Sequence, residues 1–279
     1  MEIQAQILNF LVSIRNDFLT TFFMSITILA EKTFLIVILS VLYWCVNKEK
    51  GKRLAWFVLF GSASNGLVKN IVRMPRPYEV GVGKPLRVET ATSYSFPSGH
   101  TQSVTSFWTG SMLILKTKAS VILGSVMIIL TALSRLYLGV HWPMDVLGAI
   151  GFGVIFVYFA NQMMDEKGTF HKWHVLGSSI LCLVLLILPV DEDFYNAGAA
   201  LWGLCLGVFL EQQYVKFEVS SELKINLKRL GVGLLGVVLI YIGISKGLPH
   251  LKGISMIKNA LVILWVALGA PYIFAKWLK

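Results

Sequence analysis

The chain has 279 residues, of which 56% are apolar and 14% charged, with a formal net charge of +10 and a mean hydropathy of +0.70. A soluble domain carries about 25% charged residues, so the composition excludes an ordinary soluble fold and indicates a polytopic α-helical membrane protein. The basic excess falls mostly in short loops between apolar runs, where membrane topology accounts for it, and no nucleic-acid-binding module is visible.

Residues 3–23 place Ile3, Ile7, Leu8, Leu11, Ile14 and Phe18 at helical spacing, with Gln4, Asn9, Arg15 and Asn16 between them. The pattern predicts an amphipathic helix over 1–23 lying on the membrane surface. Packing on a helix bundle satisfies the same pattern. A basic start and a small-residue cleavage site are both missing from this stretch, so no cleavable signal peptide is expected.

A first apolar span ends at Val46 and borrows residues upstream of Glu31 and Lys32. A basic hinge, 47–53, leads to a second span over 54–72, which Pro75 and Pro77 terminate. Lys69, Arg73 and Arg76 crowd that edge with no acid among residues 69–78. Cations clustered in this way call for an anion, and a phosphate suits them. A flank whose side chains snorkel to the headgroups explains a lone cluster of this kind better.

A polar loop over 78–95 contains Lys84, Arg87 and Glu89. Phe96-Pro97-Ser98-Gly99-His100 then opens a third span to about Leu115. Backbone N–H groups and the dipole at such a helix start attract anions, with His100 in reach. A fourth span over 120–133 runs into Ser134-Arg135, and a fifth follows from about Val146.

Between them, His141 and Asp145 stand four apart and share a helix face. The carboxylate can hold one imidazole nitrogen and leave the other to attack an electrophile. Taken alone, a snorkelling Arg135 and a His–Asp helix cap account for these residues equally well.

Four further apolar segments cover about 175–190, 196–212, 229–246 and 257–275, with Gly203 and Gly207 forming a GxxxG packing seam. Cys45, Cys182 and Cys205 lie far apart in apolar runs and are expected as buried thiols. His171, His174 and His250 read as solvated loop residues.

Helices alternate in direction. Span two therefore ends, span three begins, span four ends and span five begins on one side, which brings the three polar motifs to one membrane face. Their spacings are Lys-x6-Arg-Pro at 69–77, Pro-Ser-Gly-His at 97–100 and Ser-Arg-x5-His-x3-Asp at 134–145. This set closely resembles the three-part signature of the type 2 phosphatidic acid phosphatase (PAP2) superfamily. That superfamily includes membrane lipid phosphate phosphatases and the soluble vanadium haloperoxidases. Arg-x-Pro-Arg-Pro at 73–77, Ser134-Arg135 and the Tyr43-Trp44 end of the first span also look loosely like the sphingosine-1-phosphate phosphatase branch.

The resemblance covers about 54–162 and implies a fold and a chemistry. The apolar segments give an expected all-α transmembrane bundle of about 8–9 spans, within which the resemblance implies a six-span core. Its expected division is an N-terminal helix at 1–23, a catalytic core at 24–190 and additional helices at 191–279. His141 would be the nucleophile on phosphorus, Asp145 would orient it, and His100 would be the general acid and base. Lys69, Arg76, Ser98, Gly99 and Arg135 would hold the phosphoryl group.

Phosphoryl transfer needs this positioning and positive charge, and neither cofactor nor metal is expected. Phe96, Tyr137 and Trp142 are placed to line a substrate entrance or to form an aromatic belt. The expected partners are a phosphorylated lipid and the surrounding membrane lipids, with no nucleic acid; self-association stays open. The lipid can be a polyprenyl mono- or diphosphate, phosphatidic acid, phosphatidylglycerol phosphate or a sphingoid-base phosphate.

Two other classes fit parts of the pattern. His100, His141 and Asp145 could ligate zinc, but the surrounding Lys and Arg would repel a cation. A lipid transporter or flippase would suit the number of helices, but not a complete catalytic signature.

Alternate loops assigned to one side (47–53, 116–118, 165–174, 211–229 and the C-terminal tail) hold fourteen Lys and Arg. Outside the site, the opposite side holds five: Arg15, Lys32, Lys246, Lys252 and Lys258. The positive-inside rule then puts the motifs on the extracytoplasmic face of the plasma membrane.

Overall fold

The computed structural model describes residues 2–165, 167–247 and 253–278, so His250 lies outside the described residues. Within these the regular elements are all helical. They are α1 (Glu2–Ser13), α2 (Asp17–Leu29), α3 (Lys32–Val46), α4 (Lys48–Val72), α5 (Gly99–Leu115), α6 (Lys118–Tyr137), α7 (Pro143–Gln162), α8 (Lys172–Ile187), α9 (Glu192–Val215), α10 (Leu223–Gly247) and α11 (Ile254–Trp277). α3, α9 and α11 each contain a π-helical turn.

Five of the described helices, α6, α7, α9, α10 and α11, are long and apolar enough to cross a membrane. The bent pair α2 and α3 makes a sixth if counted as one span. The protein is thus an integral membrane protein, but the expected 8–9 spans reduce to five or six by this measure. α5 is 17 residues and α8 is 16, at or just under the lower end of the roughly 17–25 residues of a spanning helix. α4 begins on Lys48, Glu49, Lys50, Lys52 and Arg53, and carries Asn65, Lys69 and Asn70 near its end.

The chain divides into two compact units, one of residues 1–35 and 60–160 and the other of 36–59 and 161–279. This differs from the expected division at 23 and 190. The N-terminal helix belongs with the signature motifs because α1 and α2 pack on α6. The single helix expected over 3–23 breaks at 14–16, where the Asn16 side chain accepts from Leu19 N–H and caps α2.

The first unit is built around α5. Its Thr101, Gln102, Ser103, Thr105 and Ser106 are all buried. Small residues let neighbouring helices come close: a Cβ on Gly61 of α4 would collide with Ser106 Oγ, and one on Gly153 of α7 would sit 2.6 Å from Thr105. α5 and α6 form a tight hairpin. Lys116 ends α5 in the left-handed conformation, and the Thr117 hydroxyl accepts from Ser120 N–H at 3.1 Å to start α6.

In the second unit, Tyr43 and Trp44 pack with Phe217, Ala270 and Phe274. Gly203 and Gly207 lie against α11, where added Cβ atoms would meet Ala260 O and Ala267 Cβ at 2.6 Å. The expected packing seam is therefore present. Glu211, fully buried, accepts from Lys48 at 2.8 Å.

His174 departs from expectation. It is buried, accepts from His171 N–H at 2.9 Å and contacts Met163 O at 3.1 Å, so it ties the α7–α8 turn together. Cys205 is buried, while Cys45 and Cys182 are half-buried; all three are free thiols.

Candidate active site

The three signature segments meet in the first unit, and the loop before α5 joins them. His141 lies in the short turn between α6 and α7, and Asp145 sits in the first turn of α7. His141 Nδ1 is 3.1 Å from Asp145 Oδ2. The same oxygen accepts from Trp142 N–H at 2.7 Å and from Ser95 Oγ at 2.5 Å. Because a carboxylate only accepts, Nδ1 carries the proton and Nε2 presents its lone pair.

That lone pair faces Arg76 Nη1 at 3.3 Å. Both His141 and Asp145 are almost completely buried. Burial first, then the charges of Arg76 and Arg135, hold the His141 imidazole well below its ordinary pKa, so the ring is kept neutral.

Arg76 leaves α4 through the proline-bounded stretch 73–77, and its extended backbone starts a short 3-10 turn. Its guanidinium donates to Ser93 O at 2.7 Å, Val140 O at 2.9 Å and Tyr94 O at 3.4 Å. Lys69, in the last turn of α4, donates to the same Tyr94 carbonyl. The two cations of the first motif therefore converge on the backbone that leads into the second motif, one residue from the Ser95 that binds Asp145.

Ser98 precedes α5, and its N–H donates to Asp145 O at 3.1 Å, joining the second motif to the third. Ser98 Oγ accepts from Thr101 Oγ1 at 3.1 Å. Gly99 and His100 form the first turn of α5, where helix N–H groups lack intrahelical partners. His100 is near enough to Arg135, Lys32, Arg76 and Lys69 for their charges to act on it.

Arg135 is fully buried in the last turn of α6. Its Nη1 donates to Thr27 Oγ1 of α2 at 3.2 Å, while Nε and Nη2 have no hydrogen-bond partner among the described residues. Such orphaned guanidinium N–H groups suit an anionic guest.

The three aromatic residues expected at a substrate entrance are less open than that role requires. Tyr137 and Trp142 are buried. Tyr137 pairs with Thr20 Oγ1 at 3.0 Å and packs on Phe23, while Trp142 Nε1 donates to Pro75 O at 3.0 Å. Phe96 is half-buried, 6.0 Å from the Phe152 ring.

Sequence reasoning passed over several supporting residues. Ser95 lies between motifs, where no spacing marks it. Asn65 was findable, as an amide in an apolar run, one helical turn before Lys69. It donates to Pro97 O at 3.2 Å and to Gln102 Oε1 at 2.8 Å, and Gln102 in turn donates to Gly61 O at 2.9 Å. These bonds fix the start of α5 against α4. Arg15 donates to Tyr137 O at 2.5 Å and Lys84 O at 2.6 Å, tying the α1–α2 break to the end of α6 and to the polar loop.

Two family matches agree with this arrangement. Residues 50–169 match the PAP2 superfamily, and 195–278 match the PAP2 superfamily phosphatase transmembrane extension. The chain belongs to the PAP2 superfamily. Its matches and its named relatives are those of membrane phosphatases.

Lipid phosphate phosphatase delta of Arabidopsis thaliana is 25% identical, over 89% of this chain and 67% of that protein. Undecaprenyl-diphosphatase of Sulfolobus acidocaldarius is 33% identical, over 37% of this chain and 50% of that protein. Sphingosine-1-phosphate phosphatase 1 of Rattus norvegicus is 25% identical, over 59% and 39%. The chain thus spans half or less of the latter two relatives. In the PAP2 match fall all the signature residues, 69–145, while α9–α11 fall in the extension.

Proposed function

We propose that this PAP2 membrane phosphatase removes the terminal phosphate of a lipid by way of a phosphohistidine on His141. The observation that carries the reading is the state of His141: Nδ1 is held by Asp145 and Nε2 faces Arg76. An imidazole fixed in that tautomer is a ready nucleophile, and Asp145 stabilises the positive charge that develops on attack.

Arg76, Lys69 and Arg135 supply positive charge for the phosphoryl oxygens, aided by Ser98 and the Gly99 amide at the start of α5. His100 gives its proton to the departing oxygen and then takes one from the water that cleaves the N–P bond. Fixed cations take the place of a metal ion in this scheme.

The tails of the lipid remain in hydrocarbon while its phosphate reaches His141, so entry is lateral, between helices at the membrane edge. Half-buried Phe96 remains the best-placed of the three aromatic residues to line that entry. The distribution of Lys and Arg supports a site on the extracytoplasmic face of the plasma membrane.

A phosphate-release panel on detergent-solubilised protein tests the function. It covers a polyprenyl mono- and diphosphate, phosphatidic acid, phosphatidylglycerol phosphate and a sphingoid-base phosphate. Turnover of at least one, insensitive to chelator and absent in His141→Ala, is expected. Release from none of them would overturn the reading.

A further inference from the structure

The α10–α11 hairpin lies in the second unit, whereas the signature residues lie in the first. Residues 223–279 contain no Asp or Glu, so every charged side chain of this stretch is a cation. α10 gives little of itself to the protein interior: 11% of its most apolar window is buried. The two helices are pinned together at one level. Trp265 Nε1 donates to Gly233 O at 2.9 Å, and a Cβ on Gly236 would fall 2.2 Å from the Trp265 ring.

Beside that level the helices leave a groove of about 480 Å³, walled by Leu239, Gly243 and Ile244 of α10 and by Leu261, Trp265 and Leu268 of α11. Ligand sites have volumes of roughly 300–1,000 Å³. A Cβ on Gly243 would meet nothing within 4 Å, so the groove is open there.

Lys258 marks one end of the groove, one turn before Leu261. Its Nζ donates to Ser245 Oγ at 3.3 Å, next to Ile244, and lies 4.3 Å from the centroid of the Tyr241 ring. A hydroxyl and a ring hold the ammonium in place without neutralising it, and no carboxylate pairs with it among the described residues. Exposed Lys246 follows Ser245 in the last turn of α10, and the start of α11 adds the positive end of a helix dipole.

The rise along α11 from Lys258 to Leu268 is about 15 Å, and half of the hydrocarbon core of a bilayer is also about 15 Å. The groove therefore spans one leaflet. That length suits an acyl chain and is too short for a neighbouring transmembrane helix.

We propose that the α10–α11 hairpin binds one anionic phospholipid of the surrounding bilayer, with an acyl chain in the groove and the headgroup phosphate on Lys258. The lipid is a resident and not a substrate, because the walls of the groove carry neither a nucleophile nor a general acid. Its chain bridges α10 to α11 where the two helices leave space between them. The proposal does not depend on the phosphatase reading.

The test places the full-length protein in phosphatidylcholine nanodiscs with a small fraction of a photoactivatable lipid. The probe is either phosphatidylglycerol or phosphatidylcholine, with the same diazirine-bearing acyl chain, and labelled residues are mapped by peptide mass spectrometry. The phosphatidylglycerol probe should label 239–244 and 261–268 about fivefold more than the phosphatidylcholine probe, the gain expected of one lysine at a membrane surface. Lys258→Gln should remove that preference and Lys258→Arg should keep it. Gly243→Phe puts a ring into open space and should lower labelling of the groove by both probes, while unchanged labelling elsewhere on the protein controls for the fold. Equal labelling by both probes in wild type, or a preference that survives Lys258→Gln, would overturn the site and mark the groove as ordinary bilayer contact. Labelling by neither probe would show that protein covers the groove, and would overturn it as well.

Discussion

Replacing Asp145 by Asn separates the charge of that residue from its shape. Asp145 Oδ2 accepts from His141 Nδ1, Trp142 N–H and Ser95 Oγ, whereas Oδ1 is buried without a partner. Three donors around one oxygen fix how the amide of Asp145→Asn would lie: its carbonyl takes the Oδ2 position and its NH2 the Oδ1 position. His141 then keeps its proton on Nδ1 and its lone pair on Nε2. What disappears is the negative charge that stabilises the imidazolium formed on attack.

A hydrogen bond to a charged group contributes about 1.5–3 kcal/mol, and about 1.36 kcal/mol is tenfold in rate. The rate of phosphoenzyme formation in Asp145→Asn is therefore expected to fall about 10- to 150-fold. KM should change little, because the bound ground state carries no imidazolium. Rapid quench with labelled lipid phosphate measures the step directly, with thermal unfolding in the same detergent as a control for the fold. A fall of less than about threefold would show that the carboxylate charge is not used. A fall near 10⁴-fold, the scale of a reversed tautomer in another His–Asp system, would show that the amide sits the other way round.

The two site histidines should fail differently: His141→Ala loses both turnover and the acid-labile, alkali-stable phosphoenzyme, whereas His100→Ala with a nitrophenyl phosphate still forms it but hydrolyses it slowly. A phosphoenzyme that survives in His141→Ala, seen by rapid quench, would reverse the assignment. The acid limb of kcat/KM should fall below the ordinary histidine value of 6.5, because burial and then Arg76 and Arg135 lower the folded pKa of His141. Its stability contribution is correspondingly whole above pH 6.5 and lost as pH falls from there toward the folded value, which pH-dependent unfolding checks. For topology, an impermeant thiol reagent on intact cells should label Glu192→Cys and not Lys50→Cys, each placed in a background without the native cysteines; labelling of the second alone would put the site inside.

The sequence by itself marked out the candidate site residues. Lys69, Arg76, His100, Arg135, His141 and Asp145 were legible because ionisable groups at the ends of apolar runs are costly and thus rare. Helix alternation was the sequence argument for bringing their three motifs together, and the structure does join the three segments within one unit. The packing seam at Gly203 and Gly207 was legible for a similar reason, since small residues at a spacing of four permit close approach.

Only the tertiary structure could show how the site is held. Ser95, Asn65, Gln102 and Thr27 are ordinary polar residues whose partners lie 32 to 108 positions away, so no local spacing marks them. The break at 14–16 does carry a local sign, the Asn16 cap of α2, which apolar spacing alone passes over. The burial of Tyr137 and Trp142 was equally out of reach. An aromatic residue at a membrane edge carries the same sequence signal whether it faces lipid or protein, and only its neighbours decide between the two.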